Sequence, residues 1–466
     1  MKRKKVILIG LDGAKPELVF GKYKNELPNF AAMMDQGAWG KLKSTYPPTT
    51  AQAWISMFSG KDAGEIGFTD FTFRSDYSYG EPELVNATKI RTKTLYDDLA
   101  AQKKRVCLIS LPITYPPLPL PDGVCISGFI APDTEHEFTH PHSEKETVKK
   151  LVGDYILDAS MGEKNYRQLD KKQALDRIFD MDRQRFVLAN HYLKGNFDFL
   201  LVHLLGTDRI GHLFSRYSEK SHVFYEPGTP YSGAILDHLK FVDEELGKIL
   251  KRTKTEPDTT VVVASDHGLN PLDGRINLNE WLIQEGFMEL IKRPDKPVGV
   301  SRASVNWDRT QAWTMGFMGA RIYLNVKGRE KLGIVQDYDA MRSELEKKLK
   351  TLKDDHGRPL NVDVLKKEDI FHGPHAGPAP DLFVQMNDYR WSNNALIGYD
   401  SLYSYNTTLG VDDGVHSLHG IFLAQGDSVP HTHLEQAEIF DVAHTLYRHF
   451  GIRMSEPRNA HGSALF

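Results

Sequence analysis

The sequence predicts a doubly wound α/β fold with a mostly parallel sheet, and three observations carry that expectation. Short apolar runs such as VILIGL, FLLVHLLGT and TTVVVAS read as strands buried on both faces. Helical patterns separate them, as crossovers between parallel strands require. Each of these runs leads into an Asp, at the strand ends where open parallel sheets place their ligands.

Taken in order, residues 6–10 form the first strand, and a helix follows over 28–36 with Pro28 in its first turn and Gly37 placed to end it. Residues 92–102 read as a helix leading to a strand at 105–110, and 175–193 as a helix feeding a strand at 197–204. Ile235, Leu239, Val242, Leu246 and Ile249 repeat at helical spacing before a strand at 259–264. Asn277 and Glu280 have the spacing of a capping box for a short helix ending near Gly286. The pattern then becomes mixed. An amphipathic helix on Tyr338, Met341, Leu345, Leu349 and Leu352 lies between strand-like runs at 320–326 and 361–365. Sheet character returns at 420–424, and a last helix covers 439–450. The expected organisation is a core over 1–286, an inserted α+β cap over 287–410, and the rest of the core over 411–466; a chain of 466 residues exceeds the usual size of one compact domain.

Composition excludes several classes. Lys and Arg (58) balance Asp and Glu (62), which leaves no electrostatic footprint for a nucleic-acid polymer, although small nucleotides remain compatible. No apolar stretch approaches the roughly 18 residues of a spanning helix, so no membrane segment is expected. The start MKRKKVILIGLD has a charged opening, but its apolar run meets Asp12 too soon for a signal peptide. Cys107 and Cys125 sit in strand-like contexts and read as buried free thiols, which with the missing signal points to the cytoplasm.

Three acidic positions follow central strands: Asp12, Asp208 and Asp266. One Asp at a strand end is usually a helix cap; three are a constellation. His212 lies four residues after Asp208, on the same face if the segment is helical, and His267 adjoins Asp266. His416 precedes the apolar run near the end of the chain, with His419 its nearest rival. Mixed His and carboxylate donors suit zinc, with manganese also compatible. His136, His140, His142, His372 and His375 lie amid Pro, Gly, Glu and Thr and read as solvated loop residues. In TYPPTTAQAWISMFSG a Pro-rich loop gives way to a helix near Thr50, whose hydroxyl would sit at an anion-binding helix start.

With these residues in place the chain resembles the alkaline phosphatase superfamily, and within it the type I phosphodiesterase/nucleotide pyrophosphatase branch. The resemblance rests on GLDGA, PPTTAQAW, TDRIGH, SDHG and a late His before Gly-Ile-Phe, in the family's order. LPITYPP, LNEWLIQEGF and NVKGREKLGIV resemble a prokaryotic subgroup described only as predicted phosphohydrolases or phosphomutases. The resemblance implies an alkaline phosphatase-like core and two divalent ions. Asp208, His212 and His416 would hold one, and Asp12, Asp266, His267 and the Thr50 oxygen the other. It implies Thr50 rather than Thr49 or Thr45 as nucleophile, because the family nucleophile lies ten residues before the Gly that here is Gly60. Ile66 stands where nucleotide pyrophosphatases have a His, and Asp70-Phe71 where an Asn grips the phosphate, which puts nucleotide specificity in doubt. The expected activity is hydrolysis of a small phosphorylated substrate, a phosphodiester or phosphomonoester, through a phosphothreonine. A phosphomutase or phosphotransferase is the alternative, and a non-catalytic metal-binding protein a lesser one. Arg329 in the insert is expected either to grip the substrate or to pair with Glu330 at the surface.

Overall fold

The computed structural model describes residues 4–161, 164–254, 256, 258–456 and 460–466, so the first three residues of the basic N-terminal run lie outside it. Its largest sheet takes β1 Lys5–Leu11, β2 Ala38–Lys43, β3 Val106–Ile109, β4 Val124–Ile126, β5 Thr139–His140, β6 Phe199–Leu204, β7 Thr259–Ala264, β8 His419–Gln425 and β9 Thr432–Glu438. Among the described residues these nine strands run in the order β9–β2–β8–β7–β1–β6–β3–β4–β5. β1 pairs in parallel with β6 and β7, and β3 in parallel with β4 and β6, whereas β8 and β5 are antiparallel to their neighbours.

Alternation along β1 makes the fold doubly wound. Ile7, Ile9 and Leu11 pack into a core shared with helices Pro28–Gln36, Lys171–Tyr192 and Ala234–Thr253, while Val6 and Leu8 face helices Thr50–Ser59, Leu95–Ala101 and Ile439–Phe450. Gly10 is required on the second face. A Cβ there would lie 2.6 Å from the ring of Trp54, whose helix is buried along its whole length. The closeness this permits brings the start of that helix against the carboxyl end of β1.

A second, smaller sheet uses strands from Gly274–Ile276 to Tyr403–Ser404 and has its own apolar core. Leu278, Trp281 and Leu282 belong to that core, so the packing unit starts before residue 287. The capping-box expectation fails here for a tertiary reason. The Asn277 amide donates to Ser401 O and its Oδ1 accepts from Ser404, while Glu280 Oε1 accepts from the backbone N–H groups of Gly398 and Tyr399. Both side chains hold the 398–404 loop instead of the helix end, although Asn277 remains the N-cap residue.

Arg329 is likewise committed inside the insert. Its Nη1 and Nη2 each donate to Asp381 at 2.7 Å, Nη2 also to Leu324 O, and Nε to Glu330. The pairing with Glu330 is present, but the guanidinium fork is spent on the buried Asp381 and not left for a substrate. Arg329→Ala should therefore destabilise the protein by about 3 kcal/mol, because it strips a buried carboxylate of its bidentate cationic partner and leaves it Lys367, at 3.6 Å, with the neutral donors Tyr338 Oη and Leu324 N. Denaturant unfolding checks this; a shift below about 0.5 kcal/mol would mean an exposed pair of no consequence.

Candidate metal centre and nucleophile

The carboxyl ends of β1, β6 and β7 deliver the acidic residues to one place. Asp12 follows β1. Asp208 lies two residues into helix Gly206–Ser218, just after β6, and one turn of that helix brings His212 beside it. Asp266 and His267 occupy the bend after β7. His416 comes from the strand Gly414–Ser417, which pairs antiparallel with Gly268–Pro271.

Two clusters result. Asp208 Oδ1 lies 3.3 Å from both His212 Nε2 and His416 Nε2. His267 Nε2 lies 3.4 Å from Asp12 Oδ1 and 3.2 Å from Asp266 Oδ2. The clusters abut, since the His267 and His416 rings stack with centroids 3.6 Å apart. Thr50 Oγ1, at the first turn of its helix, is 3.2 Å from His267 Nε2 and 3.4 Å from Asp12 Oδ1. The neighbouring threonines face elsewhere, with Thr49 Oγ1 donating to Thr69 O and Thr45 Oγ1 to Pro47 O. All seven residues named from the sequence thus converge; His419 does not join them.

The outer atom of each group is held and its inner atom faces the cluster. His212, His267 and His416 turn Nδ1 toward Asp412 Oδ1, Gly268 O and Pro48 O, at 2.7, 3.0 and 2.9 Å, which turns each Nε2 inward. Asp12 Oδ2 accepts from His203 Nε2 at 2.9 Å and from Trp54 Nε1, Asp208 Oδ2 from Arg209 Nη1 at 2.7 Å, and Asp266 Oδ1 from Gly13 N. The remaining oxygens, Asp208 Oδ1 and Asp266 Oδ2, are buried without a hydrogen bond. Buried polar atoms almost always have a partner, and this set of unpaired oxygens and inward imidazole nitrogens is the donor set that divalent metals take. The residues fit two such ions.

The electrostatics agree. Burial raises Asp266, and the nearby Asp12 and Asp208 hold its carboxyl well above the usual range. Burial, then the adjacent His416, pushes His267 down to about 3. At the other cluster burial opposes the charge on both partners, but His212 and His416 outweigh it at Asp208, holding its carboxyl low, and Asp208 and Asp412 outweigh it at His212, lifting it to about 9.

Several supporting residues were missed from the sequence. His203 was visible as a lone polar residue within the buried run of β6. Asp412, which holds His212 and is itself held by Arg275 and Arg167, gave only its place in DDGVH as a signal. Arg321 gave none: it reaches from the small sheet to pair with Asp70 at 2.8 Å and donates to Thr72 O. Its other contact, Thr69, carries the carbonyl that holds Thr49. Ile66, the other departure from the nucleotide pyrophosphatase pattern, is a core residue. His136 and His142 are exposed as expected, but His372 is not a simple solvated residue, since its ring and backbone N–H both contact Asp62. Cys107 and Cys125 are buried free thiols, and no described helix is long and apolar enough to cross a membrane.

A family profile described as type I phosphodiesterase / nucleotide pyrophosphatase matches residues 6–412. No curated protein matches the sequence. Among solved structures, human ectonucleotide pyrophosphatase / phosphodiesterase 5 superposes with a TM-score of 0.58 at 15% identity, over 99% of this chain and 97% of that one. The murine protein gives 0.55 at 15% identity, over 99% and 98%. An inactive threonine-to-alanine variant of it, in complex with AMP, gives 0.57 at 15% identity, over 99% and 97%.

Replacing His203 by Phe keeps a ring beside Trp54 but removes the donor to Asp12. Affinity for a divalent ion should fall by about 10- to 100-fold, the usual effect of losing such a supporting hydrogen bond. Calorimetric titration of the metal-free protein measures it, and unchanged affinity would show that Asp12 needs no such support.

Proposed function

The chain belongs to the type I phosphodiesterase / nucleotide pyrophosphatase family, whose members are metal-dependent phosphoric ester hydrolases, and on that premise we propose that Thr50 is its nucleophile and that the reaction passes through a phosphothreonine. One observation carries the reading: of the three threonines in this loop, Thr50 alone turns its hydroxyl onto the Asp12–Asp266–His267 cluster, while Thr45 and Thr49 spend theirs on backbone carbonyls.

We assign Asp208, His212 and His416 to one divalent ion and Asp12, Asp266, His267 and Thr50 to the other. The mixture of imidazole and carboxylate donors favours zinc, with manganese as a working substitute. Bound there, the two ions would supply the positive charge that stabilises the Thr50 alkoxide and the phosphoryl oxygens. Thr50 Oγ1 then forms a bond to phosphorus as the ester oxygen leaves with the electron pair of the broken P–O bond. Water opens the phosphothreonine from the opposite side, restoring the hydroxyl and giving net retention at phosphorus. Arg209 and His203 keep Asp208 and Asp12 oriented throughout.

The substrate is proposed to be a small phosphodiester or phosphomonoester, chosen by the insert read from the sequence as residues 287–410. Support comes from Arg321, through which the insert meets the segment after the Thr50 helix at Asp70. Cytoplasmic placement rests on the two free thiols.

Thr50→Ala should lower turnover by about 10⁴-fold or more while leaving metal content near wild type, because one donor of seven is lost with the only nucleophile. Mass spectrometry of quenched wild-type turnover should find phosphate on Thr50. Full activity in this variant, with Thr49→Ala dead instead, would move the nucleophile by one residue.

A chelator should abolish activity, and Zn²⁺ or Mn²⁺ restore it at two or more ions per chain. Because His212 titrates near 9 in the metal-free protein, an ion entering its cluster must displace a proton. Affinity at that cluster should therefore rise with pH from 6 and level off near 9. Binding that weakens over this interval would contradict the assigned donors.

A further inference from the structure

Away from the nucleophile, a third group of side chains repeats the features of the two clusters. Asp62 belongs to the core, just past the helix Thr50–Ser59; His372 belongs to the insert, after the helix Lys367–Ile370; His461 belongs to the C-terminal segment. These three sites are more than 300 and nearly 90 residues apart in sequence, yet their donor atoms lie within 4.8 Å of one another. Asp62 Oδ2 is 2.6 Å from His372 Nδ1 and 3.1 Å from His461 Nε2.

We propose that Asp62, His372 and His461 form a third metal site, for Zn²⁺ or a similar divalent ion, that ties the insert and the C-terminal segment to the core. Hydrogen bonds of the backbone help to place the donors. His461 N donates to Gly60 O at 2.7 Å and its carbonyl accepts from His444, while His372 N donates to Asp62 and His375 N to Gly64 O. Asp62 Oδ1 caps Gly64 N at 2.8 Å, both its oxygens accept from His372 N at 3.1 Å, and Oδ2 also faces the two rings. His461 Nε2 is buried and has no hydrogen bond of acceptable geometry despite its closeness to Asp62. Asp208 Oδ1 and Asp266 Oδ2 likewise lack a hydrogen bond, but this third group differs from theirs in that His372 and His461 are partly exposed, with side chains 47% and 33% accessible. Beside the group lies a cavity of about 140 Å³ lined also by Asp369 and Glu438, with room for water or a carboxylate to complete a tetrahedral shell. An ion here would take the place of the hydrogen on His372 Nδ1, whose proton passes to solvent, and would separate Asp62 Oδ2 from both rings while Oδ1 keeps Gly64 N.

The rival is a staple of ordinary hydrogen bonds with no ion. Full-length protein is stripped with chelator, dialysed to equilibrium against a series of Zn²⁺ concentrations, and its metal counted by mass spectrometry. Wild type should saturate at three ions per chain, and His461→Gln and His372→Gln at two. A chain carrying Asp208→Asn with His416→Ala should lose an ion from the other site and still lose a further one when His461→Gln is added. As a second readout, Co²⁺ in the Asp208→Asn, His416→Ala chain should give visible ligand-field bands that His461→Gln weakens. Circular dichroism confirms that each variant is folded. Equal saturation and equal spectra with and without His461 overturn the proposal while leaving the two-metal centre untouched, whereas a chain that keeps its His461-dependent ion but none at Asp208 would fail the two-metal reading alone.

Discussion

Three carboxylates brought out of water to one point cannot remain there on their own, and most of the surrounding structure answers that constraint. Asp12, Asp208 and Asp266 are each at most 1% exposed, and burying an unpaired charge costs several kcal/mol. The chain does not neutralise them with neighbouring lysines. It pins the outer oxygen of each with a directed donor from His203, Arg209 or Gly13 and leaves the inner face to imidazoles. Two divalent cations bound between these faces would offset the charge that the directed donors leave uncompensated.

The supporting shell extends the same logic outward. His212 can aim Nε2 inward only while Asp412 holds Nδ1, and Asp412 survives in the interior only because Arg275 and Arg167 sit against it. Arg275 comes from the small sheet and Arg167 from the 3-10 turn Tyr166–Gln168 that precedes helix Lys171–Tyr192. The orientation of one imidazole therefore depends on segments more than 100 residues apart, and the insert is joined to the centre electrostatically as well as by the chain.

Legibility in the sequence followed the range of the interaction. Helices 28–36 and 439–450 and the strand 259–264 were read at their observed bounds, because periodicity, a proline at the first turn and β-branched runs are local signals. The convergence of the seven residues proposed for the site was legible for a related reason: strand ends can be located from apolar runs, and a parallel sheet brings those ends together. What failed were readings of single side chains whose partner lies far along the chain and not at a strand end. Asn277 and Glu280 have the spacing of a helix cap, yet a loop 118 to 127 positions away takes their hydrogen bonds. Arg329 was weighed between a substrate and its neighbour Glu330 because Asp381 lies 52 residues on, and His372 was read as simply solvated because Asp62 lies 310 residues back.

The two arginines of the small sheet show how such contacts redistribute function. Arg329 has the planar fork suited to a phosphate or carboxylate, but the insert uses it internally on Asp381, whose second oxygen also accepts from Leu324 N at the end of the interior strand Ala320–Leu324. Arg321, hidden in the apolar-looking strand Ala320–Leu324, carries the contact with the core instead, and its acceptor Asp70 stands where related nucleotide-cleaving enzymes are expected to place a neutral amide. An Asp there cannot donate to a phosphate as an Asn can, and its charge is already spent on Arg321. Any hydrogen-bond donor to a phosphoryl group at this edge of the centre must then come from a residue other than Asp70.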